Sequence, residues 1–514
     1  MKTDLKGVCK TWAVIAAIAL TGTQRTWGDE FVESRLVQVS GPSPFAGCTA
    51  DLVGGQAGPP ILNAEVEPYL AVNPANPNNL VALWAQDFLT NADGQPVPGG
   101  HGIIVGVSFN GGGTWRDVVL PGYGPCSGGT EFGRSGGDPW LTFAPNGDLY
   151  ASGLALGAIP DIYPSAVLVS KSTDGGLTWG APTALIKDKY VNDKETLVAD
   201  SFDSSFVYAV WTRRPDKGFQ TMFSRTTDAG RTWEPARVIF EQGGSDNPFG
   251  NLVLVLPDHI LVDIFAENLW VNDQGGSGHY THRFSLIRST DRGLTWQPSQ
   301  KEGVTHVADL QTACPVEFNL AACVTDPDTG QRVRTISTVL DAKVDPKSGN
   351  LYMVWEDGRF SGLQYHEIAF SMSTDGGFTW SEPIKVDQTP PSQTPADRQA
   401  FRPAVAVATD GTLAVTYYDF RFNDTNPGAL TDYWMVRCHP TTPTACTNPA
   451  NWSSESRLTD TSFDIKTAVF LGGGLFLGDY MGLQSSGNDF LAVFGQTHEV
   501  DHASIFFRRA RIGL

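Results

Sequence analysis

Apolar runs of five or six residues recur along this chain in pairs, each pair followed by a third run and then a polar turn. The first set reads Pro68 to Val72, Leu80 to Trp84 and Gly102 to Val107, with a further extended segment, Arg116 to Leu120, beyond the turn. Runs this short, bounded by Gly, Asn and Pro, predict strands rather than helices. Equivalent first strands begin near Pro139, Thr196, Asn251, Ala342, Pro403 and Tyr480. Equivalent second strands run through Leu149 to Leu154, Val207 to Trp211, Ile260 to Phe265, Leu351 to Trp355, Leu413 to Tyr417 and Phe490 to Phe494. The repeat predicts seven units, each a four-stranded antiparallel meander.

The turn after the third run is itself repeated. Five copies of an eight-residue phrase ending in Thr-Trp occur at Ser108 to Trp115, Ser172 to Trp179, Thr226 to Trp233, Ser289 to Trp296 and Ser373 to Trp380. Position three is Asp174, Asp228, Asp291 or Asp375 in four copies and Asn110 in the first, and position five is always Gly. Glycine permits the left-handed backbone of a tight turn, and a short Asp or Asn side chain bonds back to the turn's own amides. The closing indole needs a neighbouring sheet to bury it.

Sheets stacked in this way by radial repetition form an all-β, β-propeller fold of four-stranded antiparallel blades. Seven blades are favoured, and six stay open if the terminal unit merges with unit one. The last unit offers three clear strands, ending with Ser504 to Arg509, and Phe31 to Val39 is placed to supply the fourth and close the ring. Inserted loops interrupt the rhythm near 301–337 and 421–456.

Composition sharpens the compartment. Lys2, Lys6 and Lys10 precede the apolar stretch Trp12 to Leu20, the layout of a secretory signal peptide, so residues 1–28 are read as a leader and 29–514 as one propeller domain. No later apolar run is long enough for a transmembrane segment. Once Cys9 leaves with the leader, six cysteines remain, and their spacing favours Cys314 with Cys323, Cys438 with Cys446, and Cys48 with Cys126. The formal net charge of −19 and the absence of a basic patch argue against nucleic acid as a partner. Neither a dinucleotide or phosphate loop nor an EF-hand or zinc-protease pattern occurs, so no cofactor and no metal site is expected.

Candidate chemistry lies on the face opposite the phrases, where the second-to-third loops and the links between units converge. That face carries Glu65, Glu67, Asp138, Asp193, Lys194, Glu195, Asp341, Asp479 and several arginines. Arg213, Arg359, Arg402 and Arg421 are candidates for substrate binding, because a guanidinium grips a carboxylate through two parallel hydrogen bonds. Glu195, Asp357 and Asp419 are candidates to orient them or to act as acid and base. Tyr480, beside Asp479, is a candidate activated phenol. Paired carboxylates can protonate a glycosidic oxygen and activate water or form a covalent intermediate.

The phrases Ser-Thr-Asp-Gly-Gly-Leu-Thr-Trp at 172–179 and Ser-Thr-Asp-Gly-Gly-Phe-Thr-Trp at 373–380 resemble the Asp boxes, or BNR repeats, of the sialidase-like propeller superfamily. The resemblance extends to Phe-Leu-Gly-Asp-Tyr-Met-Gly-Leu at 476–483. It implies a secreted propeller whose partner is an extracellular glycan or glycoprotein. The activity it implies is glycoside hydrolysis of sialidase-like type, or else noncatalytic binding of a glycan or protein. Sialidases use an arginine triad, a Tyr nucleophile helped by a Glu, and an Asp acid or base. Their early Phe/Tyr-Arg-Ile/Leu-Pro motif is absent here, and Phe401-Arg402-Pro403 resembles it only in part.

Overall fold

Seven antiparallel blades follow one another around an axis in a computed structural model that describes residue 1 and residues 31–512, less 51–57, 92, 98, 130–133, 157–163, 273–277, 314–322, 392, 453 and 499. From the innermost strand outward, blade one is Ile61–Val72, Leu80–Phe88, Gly102–Ser108 and Arg116–Val119. Blade two is Trp140–Phe143, Leu149–Leu156, Pro164–Ser172 and Thr183–Lys187, and blade three is Val191–Ala199, Val207–Arg214, Gln220–Thr226 and Arg237–Glu241. Blade four is Asn247–Val255, Leu261–Asn272, Gly278–Ser289 and Thr305–Leu310. Blade five is Asp341–Val344, Leu351–Asp357, Glu367–Ser373 and Ile384–Lys385, and blade six is Ala400–Val407, Leu413–Asp419, Leu430–Cys438 and Ser454–Arg457. Blade seven has Gly482–Ser486, Asp489–His498 and Asp501–Ile512, and its outer edge is covered by Phe31–Glu33 and Val37–Gln38, both antiparallel to Asp501–Ile512. The N-terminal segment therefore closes the ring by covering the outer strand of blade seven.

The core lies between blades. Trp84, Trp211, Trp355 and Tyr417 occupy equivalent sites on second strands and are fully buried. The phrases fasten one blade to the one before it. In each, the opening hydroxyl accepts from the glycine amide, as in Gly176 N to Ser172 Oγ at 3.0 Å, and the Asp or Asn accepts from the threonine amide before the Trp, as in Thr178 N to Asp174 Oδ1 and Thr114 N to Asn110 Oδ1, both at 2.9 Å. A Cβ on Gly112 would lie 2.1 Å from Phe507 of blade seven, on Gly230 2.7 Å from Tyr150 of blade two, and on Gly293 2.4 Å from Phe223 of blade three. The phrase glycine is thus required by close approach as well as by its positive φ. The indoles follow the same rule: Trp115 packs edge-on against Phe507 and Trp296 against Phe223.

Blade six lacks the phrase but keeps its indole. Its third and fourth strands are joined by a loop closed by Cys438–Cys446, and within it Trp452 is buried, donates to the Cys446 carbonyl at 2.8 Å and meets Phe370 of blade five edge-on at 4.9 Å. A disulfide loop here does what the phrase does elsewhere. Cys48 and Cys126 are also bridged, whereas the expected pairing of Cys314 with Cys323 lies outside the described residues because Cys314 does.

The stretch expected as an insertion near 301–337 begins with the outer strand of blade four and then forms half of a small accessory sheet. Val324–Thr325 and Arg332–Val333 pair with each other, and Arg332–Val333 runs parallel to Gly474–Phe476, which pairs in turn with Val469–Leu471. Val469, Leu471 and Phe476 pack on Ala64, Val66, Ala85 and Phe88 of blade one. The stretch near 421–456 holds the third and fourth strands of blade six as well as the disulfide loop.

Glu65, beside this packing, is a buried carboxyl that accepts from Gln86 at 2.7 Å. Burial, with smaller contributions from the charges of Asp87 and Asp501, pushes it up to about 8. Because its folded value exceeds its unfolded one, its contribution to stability is full at acid pH and is lost as pH rises through about 8. Glu65→Gln is expected to flatten the decline in stability between pH 5 and 8 and to gain about 1–2 kcal/mol on the wild type at the upper end. Denaturant unfolding of both proteins across that range checks it, and parallel pH profiles would contradict it.

Candidate functional site

The innermost strands carry a repeated irregularity that builds the site. Register shifts fall between Val66 and Tyr69, Asp193 and Thr196, Phe249 and Leu252, and Phe401 and Ala404, marking a β-bulge at the same height in blades one, three, four and six. At these bulges Glu67, Lys194 and Arg402 have φ of 59°, 53° and 55°, Gly250 has 68°, and Asp138, just ahead of the blade two strand, has 54°. Non-glycine residues held at positive φ cost of order 1–3 kcal/mol each, and they persist where the surroundings determine them. Here the bulges turn charged side chains onto one another.

Lys194 is the centre. Its Nζ lies 2.7 Å from Asp138 Oδ1, 2.6 Å from Asp479 Oδ2 and 3.7 Å from Glu67 Oε1. Arg334, which follows the accessory strand Arg332–Val333, reaches Asp479 Oδ2 at 2.7 Å, and Arg402 reaches Asp479 Oδ1 at 3.2 Å. Arg402 also donates to the carbonyls of Asp479 at 2.9 Å and Arg334 at 2.6 Å. Glu67 accepts from the Asp138 amide at 2.9 Å. Burial alone would raise the Asp479 carboxyl, but Arg334, Lys194 and Arg402 hold it far below the usual range. Burial wins at Asp138, which is pushed up to about 6 despite Lys194.

Glu67, Asp138 and Asp479 have oxygens within 4.8 Å of one another, a spacing able to hold a metal ion. The Lys194 ammonium stands among them and supplies the positive charge that such a group needs.

Two spaces adjoin the cluster. A cavity of about 280 Å³ is walled by Glu67, Asp138, Asp193, Lys194, Arg214 and Arg334, with Phe88, Phe249 and Phe476 as its apolar faces. A second, of about 40 Å³, touches Glu195, Asn251, Asp341, Arg402, Asp479 and Tyr480. Beneath them Tyr69 stacks on Trp140 with ring centroids 3.7 Å apart and Tyr480 meets Trp140 edge-on at 5.2 Å. On the far side of this aromatic layer a channel of about 360 Å³ runs between the inner strands, touching Ala71, Phe143, Leu254 and Lys343.

Of the eight candidates read from the sequence, the structure gathers Glu195, Arg402 and Tyr480 around the smaller space. Both Glu195 oxygens are buried without a hydrogen-bond partner, and burial, then the charge of Asp138, raises its carboxyl well above the usual range. The Tyr480 hydroxyl donates to the Pro139 carbonyl at 2.7 Å. The other five are not brought there. Arg213 pairs with Asp188 at 2.6 Å and lies over the Tyr190 ring. Asp357 binds Arg359 at 2.9 Å and the Trp355 indole at 2.7 Å. Asp419 binds Arg421 at 2.6 Å, and Arg421 also holds Glu455 at 2.6 Å. Three of the four arginines thus serve as local braces at the ends of second strands.

Lys194, Asp138, Glu67 and Asp479 belong to the acidic and basic set expected on this face, yet their convergence was not anticipated, and Arg334 was not among the candidates. One signal was available: Glu67-Pro68, Asp138-Pro139 and Arg402-Pro403 each set a charged residue before a proline inside or beside an inner strand. Proline within a sheet marks a bulge or an edge.

No family model and no curated protein matches this chain. Among solved structures it is similar to a Penicillium chrysogenum α-L-arabinanase complexed with arabinobiose, at 15% identity and a TM-score of 0.44, over 75% of this chain and 94% of that one. It is similar to the GH93 α-L-arabinofuranosidase of Fusarium graminearum at 14% identity and 0.43, over 70% and 91%, and to a Hadza microbial sialidase at 16% and 0.42, over 84% and 73%. These likenesses decide nothing about activity.

Proposed function

We propose that this propeller engages extracellular glycans in the cavity beside Lys194. The supporting observation is the make-up of that cavity: bonded carboxylates and cations alternate around it, and Phe88, Phe249 and Phe476 face it. Sugars need both, because hydroxyls exchange hydrogen bonds with polar groups while the C–H faces of the ring pack on apolar surface. The Asp-box resemblance of the turn phrases points to the same ligand class. The leader-like sequence pattern, which lies at residues 2–28 outside the described residues, and the Cys48–Cys126 and Cys438–Cys446 disulfides support an oxidising, extracytoplasmic setting.

A second reading, glycoside hydrolysis, is favoured by one observation. Asp138 lines the cavity with its carboxyl pushed up to about 6, a value suited to proton donation near neutrality. In this reading Asp138 protonates the leaving oxygen, Glu67 or Asp193 faces the attacking water or the anomeric carbon, and Glu195, Arg402 and Tyr480 support the floor.

A glycan array probed with the secreted protein, with released sugars assayed in parallel, separates the readings. Binding without release is the expected result for a lectin-like propeller. For a hydrolase, release should decline as pH rises through about 6, and Asp138→Asn should lower it at least about 100-fold while retaining binding. Neither binding nor release on a broad array would defeat both.

A further inference from the structure

Asp479 has no solvent exposure and receives three cations from three separate parts of the chain: Lys194 from blade three, Arg334 from the accessory sheet and Arg402 from blade six. Both of its oxygens are used, at 2.6, 2.7 and 3.2 Å. Cations converging in this way are what a protein presents to a carboxylate-bearing ligand. Here the carboxylate is the protein's own.

We propose that Asp479 is a built-in counter-anion that sets the charge selectivity of the cavity, admitting uncharged sugar units and refusing uronic and other acidic sugars. The proposal deepens the glycan reading and rests on it for the nature of the ligand. Lys194 and Arg334 line the cavity, yet Asp479 pairs with both, and Lys194 is shared with Asp138 and Glu67 besides. The remaining wall pairs Arg214 with Asp193 at 2.8 Å and carries Glu67 and Asp138. An acidic sugar entering this wall would lose its hydration and find carboxylates facing it, with no cation released to pair with it. Such unpaired burial is a standard means of discriminating against a ligand.

The side chain of Asp479 is a methylene and a carboxylate, so Asp479→Gly vacates a space that acetate matches. For the full-length variant, sodium acetate is expected to raise the thermal midpoint beyond the rise given by sodium chloride at equal ionic strength, while the wild type shows no acetate-specific rise. On glucuronate-terminated oligosaccharides the variant should gain about tenfold in affinity, the worth of one charge-assisted contact. Asp479→Asn keeps the shape and leaves the three cations with a neutral partner; it should show the same preference with a steeper salt dependence if the glycine variant does not fold. Absence of any acetate-specific response in Asp479→Gly, or equal binding of acidic sugars by wild type and both variants, overturns the proposal. An acetate response with no glycan bound by any of the proteins upholds the counter-anion and defeats the glycan reading instead.

Discussion

Lys194→Met is expected to lower the stability of this protein by about 3–5 kcal/mol, the cost of breaking a buried ionic group from one side. The lysine is 8% exposed and stands among Asp138, Asp479 and Glu67, so methionine would fill its volume and leave carboxylates facing one another. Burial on its own would depress the ammonium, but Asp138, Asp479 and Glu67 raise it, which favours its charged form. The variant has a readable pH signature. Without Lys194, the carboxyls of Asp138 and Asp479 are pushed upward, so protonation relieves their repulsion and the loss should be larger at pH 8 than at pH 5. Arg213→Met is the comparison. Its side chain is 20% exposed and its partner Asp188 21%, so it should cost about 1 kcal/mol or less. Chemical denaturation at the two pH values decides, and a Lys194→Met loss no greater than that of Arg213→Met would show that the axial cluster does not hold the blades together.

Gly112→Ala should cost about 2–5 kcal/mol, although it adds only one methyl group. Two terms contribute. The φ of 92° costs an L-residue about 1–2 kcal/mol, and a Cβ 2.1 Å from the Phe507 ring forces that ring out of its place against Trp115, about 1–3 kcal/mol more. Gly243 separates them. It has a φ of 72° and open space where its Cβ would be, so Gly243→Ala should show the backbone term alone. If both variants lose the same amount in thermal or denaturant unfolding, the fastening of blade one to blade seven through the phrase is not what the glycine provides.

Much of the architecture was readable because strand rhythm and turn chemistry are local. The seven blades, the N-terminal closing strand and the Cys48–Cys126 and Cys438–Cys446 pairs follow from spacings along the chain. Inner strands begin earlier than expected in blades one, three, four and six, because pairing resumes on the far side of each bulge and the charged residue there looks like a loop residue. The site was less legible. Arginines at 213, 359 and 421 carry the same chemistry as the one at 402, but Asp357 and Asp419 end their strands two residues before Arg359 and Arg421, and the turn that follows brings both the amide and the guanidinium of each arginine onto that carboxylate. Those arginines are satisfied locally. Arg402 has no acid at that spacing and finds Asp479 at the entry to blade seven. Which cations meet is decided by bulge geometry and by an accessory sheet whose two halves are distant in sequence, and neither leaves a periodic trace.

The N-terminal strand on blade seven is also expected to set how long the folded ring lasts. Phe31 is registered with Ile512 and Val37 with Phe507, so the ring cannot shut until the last blade exists to receive it. Contacts of such sequence separation bear the full entropy of loop closure and form late, which makes assembly slow. Interactions formed after the rate-limiting barrier act mainly on the rate of unfolding. The closing strand is therefore a latch on lifetime: weakening it should shorten the persistence of the folded ring far more than it slows its formation.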